Sequence, residues 1–249
     1  MHVALVPIIV AVAVALASSH VAAQSTTVRS PIAPFSEARP GTQLPNGWIP
    51  LTFGASKQPT QYRFIQEDGK TILHARAEAA ASGLLHPVSF DIRSAPMLQW
   101  RWKISALIPD ADNSIASKED SPVRIILGFD GDKGKLTFRE KTASLLAKTG
   151  TGRELPYAEI VYVWSNKAPV GTIIPNPHTR RVEMVVAMSG PERVGEWVTL
   201  ARNIVDDFKR AFNEEPGTLT DVGVLTDTDN TGATVEAWYG DIRFMPATP

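Results

Sequence analysis

The sequence predicts an all-β fold, a jelly-roll-like antiparallel β-sandwich with two short inserted helices. Short runs of β-branched and aromatic residues recur from Trp48 onward. Turn-forming residues separate these runs, as in sandwiches. Strands and helices also fail to alternate strictly, which disfavours a parallel doubly wound sheet.

Nine runs have the composition and turn boundaries of strands. They are Tyr62 to Gln66, Thr71 to Ala77, Met97 to Ser105, Val123 to Phe129, Glu159 to Trp164, Val182 to Met188, Trp197 to Asn203, Leu219 to Thr226 and Thr234 to Phe244. Phe138 to Lys148 and Asn203 to Phe212 instead have apolar residues near the helical period, so we expect two helices packed at the edge of the sandwich.

The chain divides into three predicted segments. Residues 1–23 contain no charged side chain and end in Val21-Ala22-Ala23, which is typical of a secretory signal peptide cleaved after Ala23. The alternative is a retained membrane anchor. Residues 24–46 are expected to form an extended lead-in, and residues 47–249 a single β-sandwich domain. The expected location is therefore periplasmic or secreted.

The composition excludes several functions. The 25 Lys and Arg residues nearly balance 26 Asp and Glu residues, so nucleic acid is not an expected partner. With no cysteine there is no disulfide, thiolate nucleophile or cysteine-ligated metal. The sequence also lacks His-Glu-x-x-His and Gly-x-Ser-x-Gly, the signatures of zinc proteases and of α/β-hydrolase serine nucleophiles.

An acidic region near the C-terminus suggests a calcium site. Residues 213–242 include seven Asp or Glu residues and no Lys or Arg. Within them, Asp227, Asp229 and Asn230 place side-chain oxygens in a turn that ends at Gly232, an arrangement that calcium favours. Trp238 occupies the position of the bidentate Glu of an EF-hand, so the motif is incomplete. The alternative is an Asx-rich turn that bonds its own backbone.

Strand alternation predicts which side chains face a ligand. From Leu98 to Ile104 the apolar residues share one face, so Trp100 and Trp102 are expected in the core. Arg101 and Lys103 then lie on the opposite face. We expect them, with Arg124 of a neighbouring strand, to donate hydrogen bonds to a saccharide.

Trp164 is the aromatic residue expected to stack on that saccharide, because it lies near a strand end. A solvated cationic face and a half-buried tryptophan are the plainer alternatives for these positions.

Three carboxylates are candidates for catalysis. Asp120 with Asp227 or Asp229 could act as acid and base in a polysaccharide hydrolase or lyase. The plainer interpretation of Asp120 is an ion pair with Arg124 in a solvated loop.

A set of motifs resembles the bacterial DUF3047 family over about residues 46 to 245. The motifs are Gly47-Trp48, Leu98-Gln99-Trp100-Arg101-Trp102-Lys103, Asp120-Ser121-Pro122-Val123-Arg124, Tyr162-Val163-Trp164, Gly195-Glu196-Trp197 through Arg202-Asn203 to Asp207-Phe208, and residues 226–232. The family has no known function, so the resemblance implies an exported bacterial domain without assigning catalytic residues. The fold expectation is also similar to the jelly-roll sandwiches of carbohydrate-binding modules.

These observations favour a noncatalytic glycan-binding or cell-envelope-associated domain. One alternative is the hydrolase or lyase, and a second is an envelope protein that binds a protein partner through an edge strand. No cofactor is expected other than calcium.

Overall fold

The structure is a computed structural model that describes residues 30–151, 154–177 and 179–247. The predicted signal peptide lies outside these residues. Strands β1 to β13 and helices α1 and α2 are numbered in chain order.

Two sheets form the sandwich. In spatial order, the seven-stranded sheet contains β1 (Ile49–Thr52), β4 (Ala81–Phe90), β11 (Leu219–Asp227), β6 (Ser121–Phe129), β7 (Ala158–Ser165), β9 (Val182–Ser189) and β8 (Ile173–Pro175). The six-stranded sheet contains β10 (Val198–Asn203), β5 (Met97–Ile104), β12 (Thr234–Tyr239), β3 (Lys70–Glu78) and β2 (Gln61–Glu67), with β13 (Arg243–Met245) also paired to β5. The predicted jelly-roll-like sandwich is confirmed.

The structure adds three strands that were not among the nine predicted, namely β1, β4 and β8, and it divides the predicted strand from Thr234 to Phe244 into β12 and β13. Gly83 and Pro87 in β4 are residues that usually weaken or interrupt a strand. β1 pairs with β4 only as far as Leu85. Pro87, which has no backbone N–H, therefore leaves no hydrogen bond to β1 unmade. The pairing of β7 with β9 is parallel, unlike every other pair in the two sheets of the described chain.

The two predicted helices are present as α1 (Phe138–Thr151) and α2 (Ile204–Phe212). The side chain of Asn203 caps α2 by accepting hydrogen bonds from two backbone N–H groups. Phe208 of α2 is fully buried against Phe129, with ring centroids 4.8 Å apart. By contrast, Phe138 and Leu146 of α1 are exposed, so only α2 packs against the sandwich as expected.

An aromatic layer fills the space between the sheets. Trp100 stacks on Tyr162 at 4.9 Å between centroids, and Trp102 lies 6.3 Å from Trp164. The buried positions of β5 alternate with partly exposed ones, as the sequence predicts. Arg101 therefore points away from the core.

Hydrogen bonds also join the sheets near Thr226. The hydroxyls of Thr226 and Tyr239 lie 2.8 Å apart, and Tyr239 donates to the carbonyl of Leu225 at 2.7 Å. The backbone N–H of Thr226 donates to the hydroxyl of Tyr62 at 3.1 Å. Two tyrosines of the six-stranded sheet thus fix the position of β11 in the other sheet.

Within the part of the chain that the structure describes, no helix has the length and apolarity needed to cross a membrane.

The burial of the two helices predicts different mutational costs. Phe208→Ala should lower the free energy of unfolding by about 3 to 5 kcal/mol, because it removes a fully buried ring. Phe138→Ala is the matched control, since that ring is 86% exposed and should change stability by less than about 0.5 kcal/mol. Urea denaturation of both variants measures the difference. Equal losses would contradict the packing described for α1 and α2.

Candidate functional site

A groove crosses the outer face of the seven-stranded sheet and has a volume of about 480 Å³. We call it the sheet groove. Its lining is mainly apolar and includes Leu51, Leu85, Ile126, Val161 and Leu225. These side chains come from adjacent strands. They lie on one face of the sheet, because residues that are opposite each other in paired strands, such as Ile126 and Val161, or two apart along a strand point the same way. A largely apolar cleft with a few polar groups is typical of ligand sites.

One end of the sheet groove is acidic. In the strand pairing, Asp221 of β11 and Glu159 of β7 lie opposite Gly128 of β6, one on each side. The side chains of both residues therefore lie on the same face of the sheet. A Cβ atom at Gly128 would lie 3.1 Å from a carboxylate oxygen of Asp221. Glycine at this position therefore leaves room for the carboxylate of Asp221.

The other end of the groove combines acids with cations. Arg124 donates through Nη2 to Asp227 at 3.1 Å and to the carbonyl of Glu119 at 2.5 Å. Lys57 forms an ion pair with Asp229. Arg124 and Asp227 are both buried, so each needs the other to remain charged away from water.

Asp120 fixes the turn that carries Asp227 and Asp229. Its carboxylate accepts hydrogen bonds from the backbone N–H groups of Asn230 and Thr231 at 3.2 and 2.8 Å. It also accepts a bond from the hydroxyl of Thr231 at 2.6 Å. Asp120 is 1% exposed and does not line the groove, so it cannot serve a substrate there as the predicted acid or base.

The outer face of the six-stranded sheet has a different character. The side chain of Lys103 lies between the rings of Trp197 and Trp238, 5.2 and 4.5 Å from their centroids. Glu67 accepts from the ammonium group of Lys103 and from the indole N–H of Trp197. Lys103 is therefore paired within the protein. The guanidinium of Arg101 lies over Trp197 at 4.4 Å.

The expected grouping of Arg101, Lys103 and Arg124 around one saccharide does not fit this geometry. Arg124 alternates with Val123 and Ile125, which belong to the core, so it points out of the seven-stranded sheet. Arg101 and Lys103 point out of the opposite sheet. A single ligand cannot contact both faces of the sandwich.

Trp164 cannot stack on a surface ligand as expected. Its ring is 1% exposed, and its indole N–H donates to the carbonyl of Gly190 at 3.0 Å. Trp164 lies on the inner face of β7, where it packs against Trp102.

The sequence matches a family described as "Protein of unknown function (DUF3047)" over residues 46–243. The chain belongs to this family. The resemblance found in the motifs is therefore confirmed, and no curated protein matches the DUF3047 chain.

Several solved structures are similar to the DUF3047 chain in fold. One is the xyloglucanase domain of NopAA, a type three effector from Sinorhizobium fredii, in complex with cellobiose. It is 9% identical in sequence, and the match covers 85% of this chain and 99% of that chain with a TM-score of 0.46. A family 11 carbohydrate-binding module from Clostridium thermocellum is 8% identical, with coverages of 84% and 98% and a TM-score of 0.39.

The chain spans only 19% of another match, the enzymatically active domain of bacteriophage CBA120 tailspike protein 4. That match covers 81% of this chain at 6% identity, with a TM-score of 0.37. At such identities and TM-scores these likenesses assign no activity to the DUF3047 chain.

Asp227 has the chemistry of a group that can exchange a proton near neutral pH. Burial raises the pKa of Asp227 to about 6, and the nearby carboxylates of Asp120 and Glu119 act in the same direction. The positive charge of Arg124 opposes the rise. Perturbed carboxyl groups in clefts are frequent at functional sites.

The predicted calcium ligands are partly brought together. Carboxylate oxygens of Asp227 and Asp229 lie within 4.8 Å of each other and of a carboxylate oxygen of Asp120, which was not among the predicted ligands. The side-chain N–H of Asn230 donates to the carbonyl of Ala116 at 3.0 Å. A calcium ion at these carboxylates competes with Lys57 and with the guanidinium that binds Asp227. Calcium binding by this DUF3047 chain stays a prediction.

Sequence reasoning missed several groove residues, notably Phe53, Lys57 and Glu159. The run from Ile49 to Phe53 alternates apolar residues at every second position, a strand signal that could have placed Phe53 on the same face as Leu51. Lys57 follows in a loop, where no periodic pattern exists.

The Asp120 anchor predicts a selective stability loss. Asp120→Asn should lower the free energy of unfolding by about 1 to 3 kcal/mol, because an amide cannot accept all three hydrogen bonds. Asp110→Asn is the control, since Asp110 is exposed and its φ of 61° also suits asparagine. Denaturant unfolding should show little change for the control. A similar loss in both variants would contradict the anchoring role.

The raised pKa of Asp227 predicts a pH dependence. Between about pH 4 and pH 6 the unfolded chain loses this proton while the folded protein retains it, so stability falls as the pH rises. The expected loss is about 2 to 3 kcal/mol. Urea unfolding across this range should show the fall in the native protein and a flatter profile in Asp227→Asn. Identical profiles would contradict the assignment.

Proposed function

We propose that this chain is a noncatalytic glycan-binding domain of the cell envelope and that the sheet groove binds the saccharide. The observation that carries the proposal is the groove itself, an apolar floor bounded at each end by carboxylates. A sugar ring has apolar C–H faces and a rim of hydroxyl groups. The groove offers surfaces that match both parts.

The apolar part of the groove supports contact with the faces of sugar rings. Phe53 lines the groove and is 45% exposed, so its ring is accessible for stacking. Leu51 and Leu155 extend this surface along the groove. Burial of C–H groups against them contributes favourable free energy without requiring charge.

The polar ends of the groove support recognition of hydroxyl groups. Asp227 and Asp229 present carboxylate oxygens, which accept hydrogen bonds from hydroxyls. Lys57, whose side chain is 37% exposed, can donate one. Arg124 acts through Asp227, because its ion pair holds that carboxylate in position.

The proposal includes export. A signal peptide over residues 1–23 would deliver the domain to the periplasm or the medium, where envelope and extracellular glycans occur. N-terminal sequencing of the protein recovered from a bacterial periplasm tests this point, since removal of the segment leaves Gln24 at the N-terminus.

A panel of neutral oligosaccharides and polysaccharides tests the glycan-binding proposal on the full chain. At a hundredfold excess over its dissociation constant, a ligand that binds only the folded state adds about 2.7 kcal/mol. For a chain of this size the thermal midpoint should rise by roughly 5 to 10 °C. Midpoints that stay flat with every glycan would contradict the proposal and favour a protein partner.

Phe53→Ala then locates the site. We expect it to weaken binding about tenfold, or 1.4 kcal/mol, while leaving the unfolding midpoint without ligand unchanged. Phe138→Ala is the matched control, because Phe138 is also exposed but lies on α1 outside the groove. Glycan affinity that survives Phe53→Ala would place the binding elsewhere.

A second candidate function is glycan cleavage with Asp227 as general acid. The raised pKa of Asp227 and the closeness of Asp229 favour it. The same glycans can be assayed for released reducing ends or unsaturated products. Their release, and its loss in Asp227→Asn, would replace the noncatalytic proposal.

Calcium can be tested in the same thermal scans. A midpoint that rises with calcium, returns with EDTA and no longer responds in Asp229→Asn would support a calcium site.

A further inference from the structure

We propose that Arg101 forms the centre of a second binding site, on the outer face of the six-stranded sheet, and that this site binds the carboxylate of an acidic sugar. The site lies on the opposite side of the sandwich from the sheet groove. It therefore stands independently of the function proposed for that groove.

Arg101 is a cation without an acidic partner. Among the described residues, no carboxylate lies within ion-pair distance of its guanidinium, and no side-chain hydrogen bond uses its five N–H donors. Two other basic residues of the same sheet differ, since Lys103 pairs with Glu67 and Arg76 with Glu78. Arginine without such a partner retains its capacity to bind an oxyanion with two parallel hydrogen bonds.

The fold holds the side chain of Arg101 in place. The guanidinium lies over the ring of Trp197 at 4.4 Å. The side chain of Arg101 also passes over Gly240. A Cβ atom added at Gly240 would lie only 2.4 Å from Nε of Arg101. The N–H of Gly240 also donates to the carbonyl of Arg101 at 2.9 Å. A side chain at residue 240 would displace Arg101, so the glycine is required for this arrangement.

A cavity of about 180 Å³ lies beside Arg101. Its lining includes Lys70, Gln99 and Thr199 as well as Arg243, which forms an ion pair with Asp241. With three cations and one carboxylate among its lining residues, the cavity has a net positive charge. An oxyanion is the ligand that this charge favours.

The remaining polar groups favour a sugar acid over phosphate or sulfate. Gln99 and Thr199 can both donate and accept hydrogen bonds, which suits hydroxyl groups. Asp241 accepts hydrogen bonds but repels a multiply charged anion. A uronate residue satisfies these groups, because it has one carboxylate for Arg101 and several hydroxyls for its neighbours.

Thr199 provides a direct test. It lies opposite Arg101 in the pairing of β10 with β5, and its side chain is exposed. Side chains opposite each other in an antiparallel pair lie close enough to interact. Thr199→Glu should therefore place a carboxylate against Arg101 and block the site. Thr199→Gln is the matched control, with nearly the same size and no charge.

Isothermal titration of the full chain would use the α-1,4-linked trimer of galacturonate, its neutral galactose counterpart and sodium sulfate as probes. We expect the galacturonate trimer to bind about tenfold more tightly than either other probe. Thr199→Glu and Arg101→Ala should each weaken that binding about tenfold or more, and Thr199→Gln should weaken it less than threefold. Circular dichroism and the thermal midpoint confirm that each variant is folded.

Three results would overturn the proposal. The first is no binding of the galacturonate trimer by the folded native chain. The second is equal binding of sulfate or of the neutral galactose trimer, which would indicate attraction of any anion or of any sugar. The third is equal binding by the Thr199→Glu and Thr199→Gln variants. Phe53→Ala should leave galacturonate binding unchanged, so failure of the groove proposal is distinguishable from failure of this one.

Discussion

The contact between aromatic rings of the two sheets is the interaction on which the rest of the structure depends. Trp100 and Trp102 of one sheet pack against Tyr162 and Trp164 of the other. Because these residues occupy alternate positions, the residues between them must face outward. The same packing therefore stabilises the sandwich and creates two separate outer surfaces.

The two outer surfaces differ in chemistry as a result. The sheet groove has an apolar floor and an excess of carboxylates, whereas the cavity beside Arg101 is polar and positively charged. β11 contributes Asp221 and Asp227 to the first surface, and the chain just after β12 contributes Gly240 to the second. One continuous segment, linked through the turn that Asp120 holds, thus supports both candidate sites.

The sequence was most informative where a pattern is local. Alternation placed Trp100 and Arg101 on opposite faces, and the structure agrees. Alternation does not say which sheet a strand joins, so it could not show that Arg101 and Arg124 point to opposite sides. Nor could it find the bonds between Asp120 and the turn at Thr231, since 111 positions separate the two residues. Those bonds depend on tertiary structure alone.

The strand order has a consequence for the nascent chain. β11 lies between β4 and β6 in one sheet, and β12 lies between β5 and β3 in the other. Both interior strands come from residues 219–239, so neither sheet can complete its pairing until the ribosome has made most of the protein. Earlier strands expose unpaired edges during synthesis, when chaperone binding is most useful. Folding of this sandwich is therefore expected to follow translation rather than accompany it.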